Sequence, residues 1–289
     1  MANPTVNGNY SGEQAGAYIG AAMKSGLTLA EGNITLLENV KYKRNLTVVS
    51  SDSLISADTN CSFSTEGALT FTDRVITPKK LKLNIELCKR DLEKDWQASQ
   101  MAAGVSNSGF SGDFTDFIME YLGAAIGENV ETSIWSDLVA TATADATVTG
   151  ATGTTLTAVN IIEELGKVRD AIPVAAYGKE DLTIYVGTAA LRFYISAMSA
   201  LGYMNTWHAS DIPLTFEGIK IAHAPGLVAD KMLASRASNL FGATDLVSDM
   251  VDLRILDMAE LDGSSQIRVA SNFSFAANHA VGADVVLYA

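Results

Sequence analysis

Three histidines, His208, His223 and His279, are the chain's only imidazoles. A metal centre or an imidazole-driven catalyst would call for a second ligand close by on the same element, as in a pair of histidines one helical turn apart. None of the three has such a neighbour, so each reads as a structural or surface residue. The segment GVSNSG at 104–109 lacks the spacing of a nucleophile elbow and follows a helical pattern rather than a strand. Gly166-Lys167 and Gly178-Lys179 have neither the upstream glycine nor the following hydroxyl of a phosphate-binding loop. Acidic residues gather at Asp245, Asp249, Asp252, Asp257, Glu260 and Asp262, in a spacing that does not fit a calcium loop and reads as a solvated acidic edge. Trp207 marks either a binding loop or a buried anchor. No catalytic residue, cofactor or metal ligand is expected.

The chain has 289 residues, 48% of them hydrophobic, and a formal net charge of -13. That length buries a core without disulfides or metals. Acidity on this scale opposes broad adhesion to nucleic-acid phosphate, which needs clustered, unopposed Lys and Arg. The opening MANPTVNGNYSGEQAG has no basic and apolar leader, and no later segment offers the roughly 20 apolar residues that span a bilayer. Neither secretion nor membrane insertion is expected. Cys61 and Cys88 lack metal-site spacing and read as two thiols, with a bridge between them as the alternative.

The elements that would position any site follow from periodicity. Residues 1–35 are rich in Gly, Asn and Ala and read as an N-terminal arm that orders against a partner. Over 36–78, β-type runs such as LTVV and ALTFT alternate with polar turns, as expected of a long two-stranded excursion with little core of its own. Leu81, Leu83, Ile85 and Leu87 alternate with Lys82, Asn84 and Glu86, the pattern of a half-buried strand. A short helix is expected over KRDLEKDWQASQMAAG.

Phe114, Phe117, Ile118, Tyr121, Leu122, Ile126, Val130, Ile134 and Leu138 follow a helical period. They predict a helix over about 113–138, on the order of 35 to 40 Å long. The Ala/Thr/Gly stretch ATATADATVTGATGTTLTA is expected to be a loop or loose hairpin. Helix, strand and helix then alternate as a compact α/β lobe over 155–235. From 236 on, VDLRILDM, QIRVASNFSFAA and ADVVLYA read as an antiparallel sheet packing back against the long helix.

Within this acidic chain the segment DRVITPKKLKLNIELCKRDLEKDW gathers Arg74, Lys79, Lys80, Lys82, Lys89, Arg90 and Lys94. Its acids, Glu86 among them, are interleaved, which argues against a nucleic-acid site. Two readings remain: a solvated mixed-charge strand, or a patch that pairs with acidic surface near Asp245, Asp249 and Asp252 on a second copy.

The order of parts, with ITPKKLKLNIELCKRDLEKDW, FEGIKIAHAPGL, and NLFGATDLVSD followed by FSFAANHAVGADVVLYA, resembles the major capsid proteins of tailed bacteriophages. The resemblance implies an α+β chain of the Hong Kong 97-type fold. Its parts would be an N-terminal arm (1–35), an extended β loop (36–78), a peripheral domain (79–154) carrying a spine helix, an axial α/β domain (155–235), and C-terminal strands (236–289) returning to the peripheral domain. It also implies hexamers and pentamers of this chain in an icosahedral shell around double-stranded DNA, bound without sequence specificity; the Lys, Asn and Glu arrangement that cross-links some relatives has no match placed in this sequence, and non-covalent assembly is assumed. Scaffolding, portal and accessory capsid proteins would be separate chains. The setting implied is a virion assembled in the bacterial host's cytoplasm. An encapsulin-like compartment would share the layout, and an enzyme remains the alternative from a different class.

Overall fold

The structure is a computed structural model that describes residues 26–52, 55, 67–88, 112–202, 214–246, 249 and 252–289. In chain order the helices are α1 (Leu27–Ala30), α2 (Gly112–Ala144), α3 (Ile161–Ala171) and α4 (Thr188–Ala200). The strands are β1 (Thr35–Leu37), β2 (Arg44–Ser51), β3 (Leu69–Ile76), β4 (Lys79–Cys88), β5 (Thr149–Ala151), β6 (Leu182–Val186), β7 (Thr215–Phe216), β8 (Ile219–His223), β9 (Met232–Arg236), β10 (Leu240–Ala243), β11 (Arg254–Asp257), β12 (Gln266–His279) and β13 (Val286–Tyr288). Most of the expected N-terminal arm, the short helix after Cys88, and Cys61 lie outside the described residues; Cys88 is a half-buried free thiol. Two compact units emerge, one from residues 79–130 and 245–275, the other from 27–78, 131–244 and 276–289.

In the first unit, β12 runs between β4 and β11, antiparallel to both. The alternation read from sequence is realised: Leu83, Ile85 and Leu87 of β4 join Ile267 and Val269 of β12 and Ile118, Tyr121 and Leu122 of α2 in one apolar cluster. A strand with one dry face and one wet face has no other stable register, because a one-residue slip would turn every leucine outward.

The second unit is built on a six-stranded sheet in the order β5-β13-β9-β6-β8-β7. All five residues of β6, LTIYV, are buried, as expected of a central strand covered on both faces. β6 and β8 are parallel, joined through α4. The expected faces of α3 and α4 pack on this sheet, with Ile161, Leu165, Val168, Leu191 and Tyr194 in the core. β7 and β8 form a hairpin around Glu217 and Gly218. Both turn residues have positive φ, 48° and 87°, the conformation a two-residue hairpin requires and one that favours Gly at the second position.

Two expectations are corrected. The long helix does not stop near 138, and the first residues of ATATADAT are not loop: α2 continues to Ala144, 33 residues in all, or about 50 Å. Alanine is the best helix former, and the Thr141 and Thr143 hydroxyls donate to the Leu138 and Val139 carbonyls at 3.1 and 2.7 Å, so this composition continues the helix. The last strand, β13, does not join the sheet of β4, β11 and β12. It pairs parallel with β5 and antiparallel with β9, since Val286, Leu287 and Tyr288 are all buried and need cover on both faces.

Trp135 and Glu131 of α2 are both buried. The Glu131 carboxylate accepts from the Thr28 amide (3.1 Å), the Thr28 hydroxyl (2.5 Å) and the Trp135 indole N–H (2.9 Å). This ties α1 to the long helix and satisfies a buried anion with three donors. The backbone of Gly226 passes so close that a Cβ there would lie 2.3 Å from the Glu131 carbonyl oxygen. Gly226→Ala should therefore cost about 1 to 3 kcal/mol. Gly123→Ala, in α2 with open space around it, should gain about 0.5 to 1 kcal/mol. Urea unfolding of the two variants checks both signs; equal effects would refute the close approach.

Candidate assembly interface

Strands β2 and β3 pair antiparallel over eight residues each, from Arg44 opposite Ile76 to Ser51 opposite Leu69, in a sheet of only two strands. At about 3.3 Å per residue the paired ribbon runs roughly 25 Å. Opposed residues share a face, so Val49 and Phe71 stand side by side, with Leu69 and Val75 in the same row on β3. All four are exposed, Phe71 by 66% and Leu69 by 56%. Between Phe71 and Val75 on that face, Asp73 accepts from the Thr47 hydroxyl at 2.7 Å and the Asn45 amide at 3.3 Å, a polar rung within the apolar row. A lone pair of strands is marginally stable, and its free edges and apolar row are sites for pairing with another chain.

The ribbon is held at its root. Ile76 is buried with Val40, Ala243 and Ala276. Beside it, Arg74 pairs with Asp145, just past the end of α2, and its Nη1 lies 2.8 Å from Nε2 of His279 at the end of β12. His279 Nε2 is also 3.0 Å from Asp145 Oδ2. Asp145 Oδ1 accepts from the Thr147 amide (2.9 Å) and hydroxyl (2.7 Å). Burial opposes ionisation of Asp145, but these donors with His279 and Arg74 hold its carboxyl well below the usual carboxylate range. Burial pushes the His279 imidazole down, and the Arg74 charge adds to this against the pull of Asp145.

A second exposed surface is the outer face of the β4–β12–β11 sheet. Lys80 and Lys82 are exposed there, opposite Ser274 and Asn272. Among the described residues no carboxylate lies within ion-pair reach of either. Glu86, by contrast, is opposite Arg268 and pairs with it at 3.3 Å. Lys79 lies opposite Phe275. The face also presents Arg254 and Arg268, which sequence reasoning passed over although R-I-L-D and Q-I-R-V-A alternate in the same way. Asp252 pairs with Arg254 at 3.0 Å. Asp245 and Asp249 precede it in the chain and form no cluster with it able to hold a metal. Lys89, Arg90 and Trp207 lie outside the described residues.

No group of three His, Cys, Asp or Glu side chains suited to a metal occurs among the described residues. His223 meets the Thr188 hydroxyl at 3.0 Å, and burial pushes its imidazole down despite Glu131 and Glu31. Asp145, His279 and Thr141, with Thr141 Oγ1 3.5 Å from His279 Nδ1, have the residue types of a hydrolytic relay. The hydroxyl, however, already donates to the Leu138 carbonyl inside α2, and the imidazole is buried, so the trio has no route to a substrate. No described helix is long and apolar enough to cross a membrane.

No protein-family model and no curated protein matches the sequence. Solved structures do match the fold. The capsid of cyanophage P-SCSP1u has a TM-score of 0.61 at 13% identity, covering 97% of this chain and 91% of that one. The mature capsid of bacteriophage PhiM1 has 0.60 at 10%, covering 100% and 91%. A structure from Gordonia phage Cozz has 0.64 at 10%, covering 94% and 88%. The chain therefore has the fold of phage capsid subunits over nearly its whole length. If the sheet's outer face is not used inside the subunit, Lys82→Glu should change the unfolding free energy of the isolated chain by less than about 1 kcal/mol. Denaturant titration measures this, and a larger loss would mean that Lys82 serves the subunit's own fold.

Proposed function

We propose that this chain is the major capsid protein of a tailed bacteriophage, a non-enzymatic subunit whose hexamers and pentamers close an icosahedral shell around double-stranded DNA. The observation that carries this reading is the ribbon face of Val49, Leu69, Phe71 and Val75, exposed in the isolated chain and set on the fold of phage capsid subunits. A second copy would cover that row. Residues 36–78 would then be the extended loop of the Hong Kong 97-type fold, 79–154 its peripheral domain, 155–235 its axial domain, and 236–289 its closing strands. The net charge of -13 suits a container wall that must not grip the packaged phosphate backbone. Its place would be the virion, after assembly in the host cytoplasm with separate scaffolding, portal and accessory proteins.

The basic face gains a role in the same reading. Lys79, Lys80, Lys82, Lys89 and Arg90 would meet the acidic edge of Asp245, Asp249 and Asp252 on a neighbouring copy. Each exposed pair contributes about 0 to 1 kcal/mol, but a closed shell repeats it at every equivalent contact.

Negative-stain microscopy of the purified chain should show shells, tubes or capsomer rings. Protein that stays monomeric and monodisperse across salt, pH and crowding would sink the proposal. Particles recovered from cells should hold DNA; protein cargo would point instead to an encapsulin-like compartment. Phe71→Ser removes an aromatic anchor of the kind that contributes at least about 2 kcal/mol to an interface. It should abolish assembly while leaving the melting temperature of the isolated subunit nearly unchanged.

A further inference from the structure

His279 sits where two demands on one atom conflict. Its Nε2 is 2.8 Å from the Arg74 guanidinium, which can only donate, and 3.0 Å from Asp145 Oδ2, which as a carboxylate can only accept. On the other side of the ring, Nδ1 lies 3.5 Å from Thr141 Oγ1. That hydroxyl spends its proton on the Leu138 carbonyl and so accepts. In the neutral form whose Nε2 accepts from Arg74 the proton sits on Nδ1, and Nε2 and Asp145 Oδ2 are then two acceptors 3.0 Å apart, held together by the guanidinium that donates to both. The guanidinium then spans Nε2 and Asp145 together. In the imidazolium form Nε2–H points at Asp145, the Arg74 contact becomes donor against donor, and two cations compete for one carboxylate.

The groups facing the ring come from every element around it. β3 supplies Arg74, α2 supplies Thr141, and the connection after α2 supplies Asp145 with its partner Thr147. β10 places Leu240 opposite His279. In the turn at 282–284, Gly282 packs on Asp145 and Thr147, while Asp284 is engaged by Arg236 at 2.7 Å. Next to His279 on β12, Asn278 takes the His279 amide on Oδ1 (2.8 Å) and donates from Nδ2 to the Val75 carbonyl (3.0 Å). Arg74 and Asp145 are thus the charges that decide the ring's state.

We propose that Arg74, Asp145 and His279 form a proton-operated latch that clamps the root of the β2–β3 ribbon to the end of α2 when His279 is neutral and releases it when His279 is protonated. The inference concerns the isolated chain and stands whether or not the chain builds a shell. Its direction follows from linkage. The buried imidazole takes up a proton less readily than a free one. The clamp is therefore fully present above the ordinary histidine value of about 6.5 and is lost as pH falls below it toward the lower folded-state value.

Hydrogen exchange of the full, unassembled chain tests this in peptides covering 44–51 and 69–76, at about pH 7.5 and about pH 5, corrected for intrinsic exchange chemistry. Protection of the ribbon root should fall about tenfold at the lower pH, the loss of one charge-assisted hydrogen bond. Peptides covering β6 should hold their protection. In His279→Gln, whose amide cannot be protonated in this range, ribbon protection should be the same at both values. Equal ribbon protection in the unaltered chain at both pH values, equal loss in His279→Gln, or equal loss in β6 would each overturn the latch. If circular dichroism shows His279→Gln unfolded, the His279 ring is titrated by NMR in the unaltered chain. Its midpoint must then coincide with the loss of ribbon protection, and separate midpoints would reject the mechanism.

Discussion

A pair of strands with no layer beneath it cannot hide an apolar face, and this structure carries one such pair in its second unit. Among the described residues β2 and β3 form a sheet with each other alone, yet they carry Val49, Leu69, Phe71 and Val75 in an exposed row. The cost of that exposure is borne by the root, where Ile76 is buried and Arg74 is drawn into a charged cluster. The ribbon is therefore firm at one end and available at the other. Such a division suits a chain whose apolar surface is meant for a neighbour.

Carboxylates, buried at Glu131 and Glu164 and half-buried at Asp145, fasten distant stretches of the second unit. Glu131 draws in Thr28, Asp145 draws in Arg74 and His279, and Glu164 holds Tyr288 at 3.0 Å with Lys167 also at 3.0 Å. Glu164 stays ionised against the cost of burial because Lys167, Tyr288 and Thr154 all donate to it. In each case at least one donor comes from a segment far away in sequence, so each carboxylate sets a long-range contact that apolar packing alone would leave unspecified. Removing the donors around such an anion is expensive, on the order of 3 to 5 kcal/mol, because a buried charge would be left alone.

What the sequence reveals and what it conceals divide along the same line. Period-two and period-3.6 patterns are local. β4, β6, α3, α4 and the first part of α2 could therefore be read directly, down to the buried faces of Leu83, Ile85, Leu165 and Val168. Pairings that depend on a partner far away could not. Nothing near Val49 announces that Phe71 stands opposite it, and nothing near β13 announces that it lies between β5 and β9. Nothing around Glu131 and Trp135 in the sequence singles them out, because their partner Thr28 lies in another part of the chain. The end of α2 was hidden for a different reason: Ala and Thr in alternation read as low complexity, whereas their hydroxyl-to-carbonyl bonds make a workable helix terminus. The outer-face arginines, Arg254 and Arg268, lay in plain alternation and were overlooked beside the denser lysines of β4.

The register of β12 also bears on the order in which the molecule can be made. Lys79 pairs with Phe275 and Cys88 with Gln266, so the sheet of the first unit closes across most of the chain. β4 leaves the ribosome well before β12, its hydrogen-bonding partner, has been made. The central sheet of the second unit, whose β6, β8 and β9 are close in sequence, faces much shorter loops to close and much less chain entropy. During translation Leu83, Ile85 and Leu87 therefore wait without β12 to pair against, and the nascent chain carries a sticky strand over that interval.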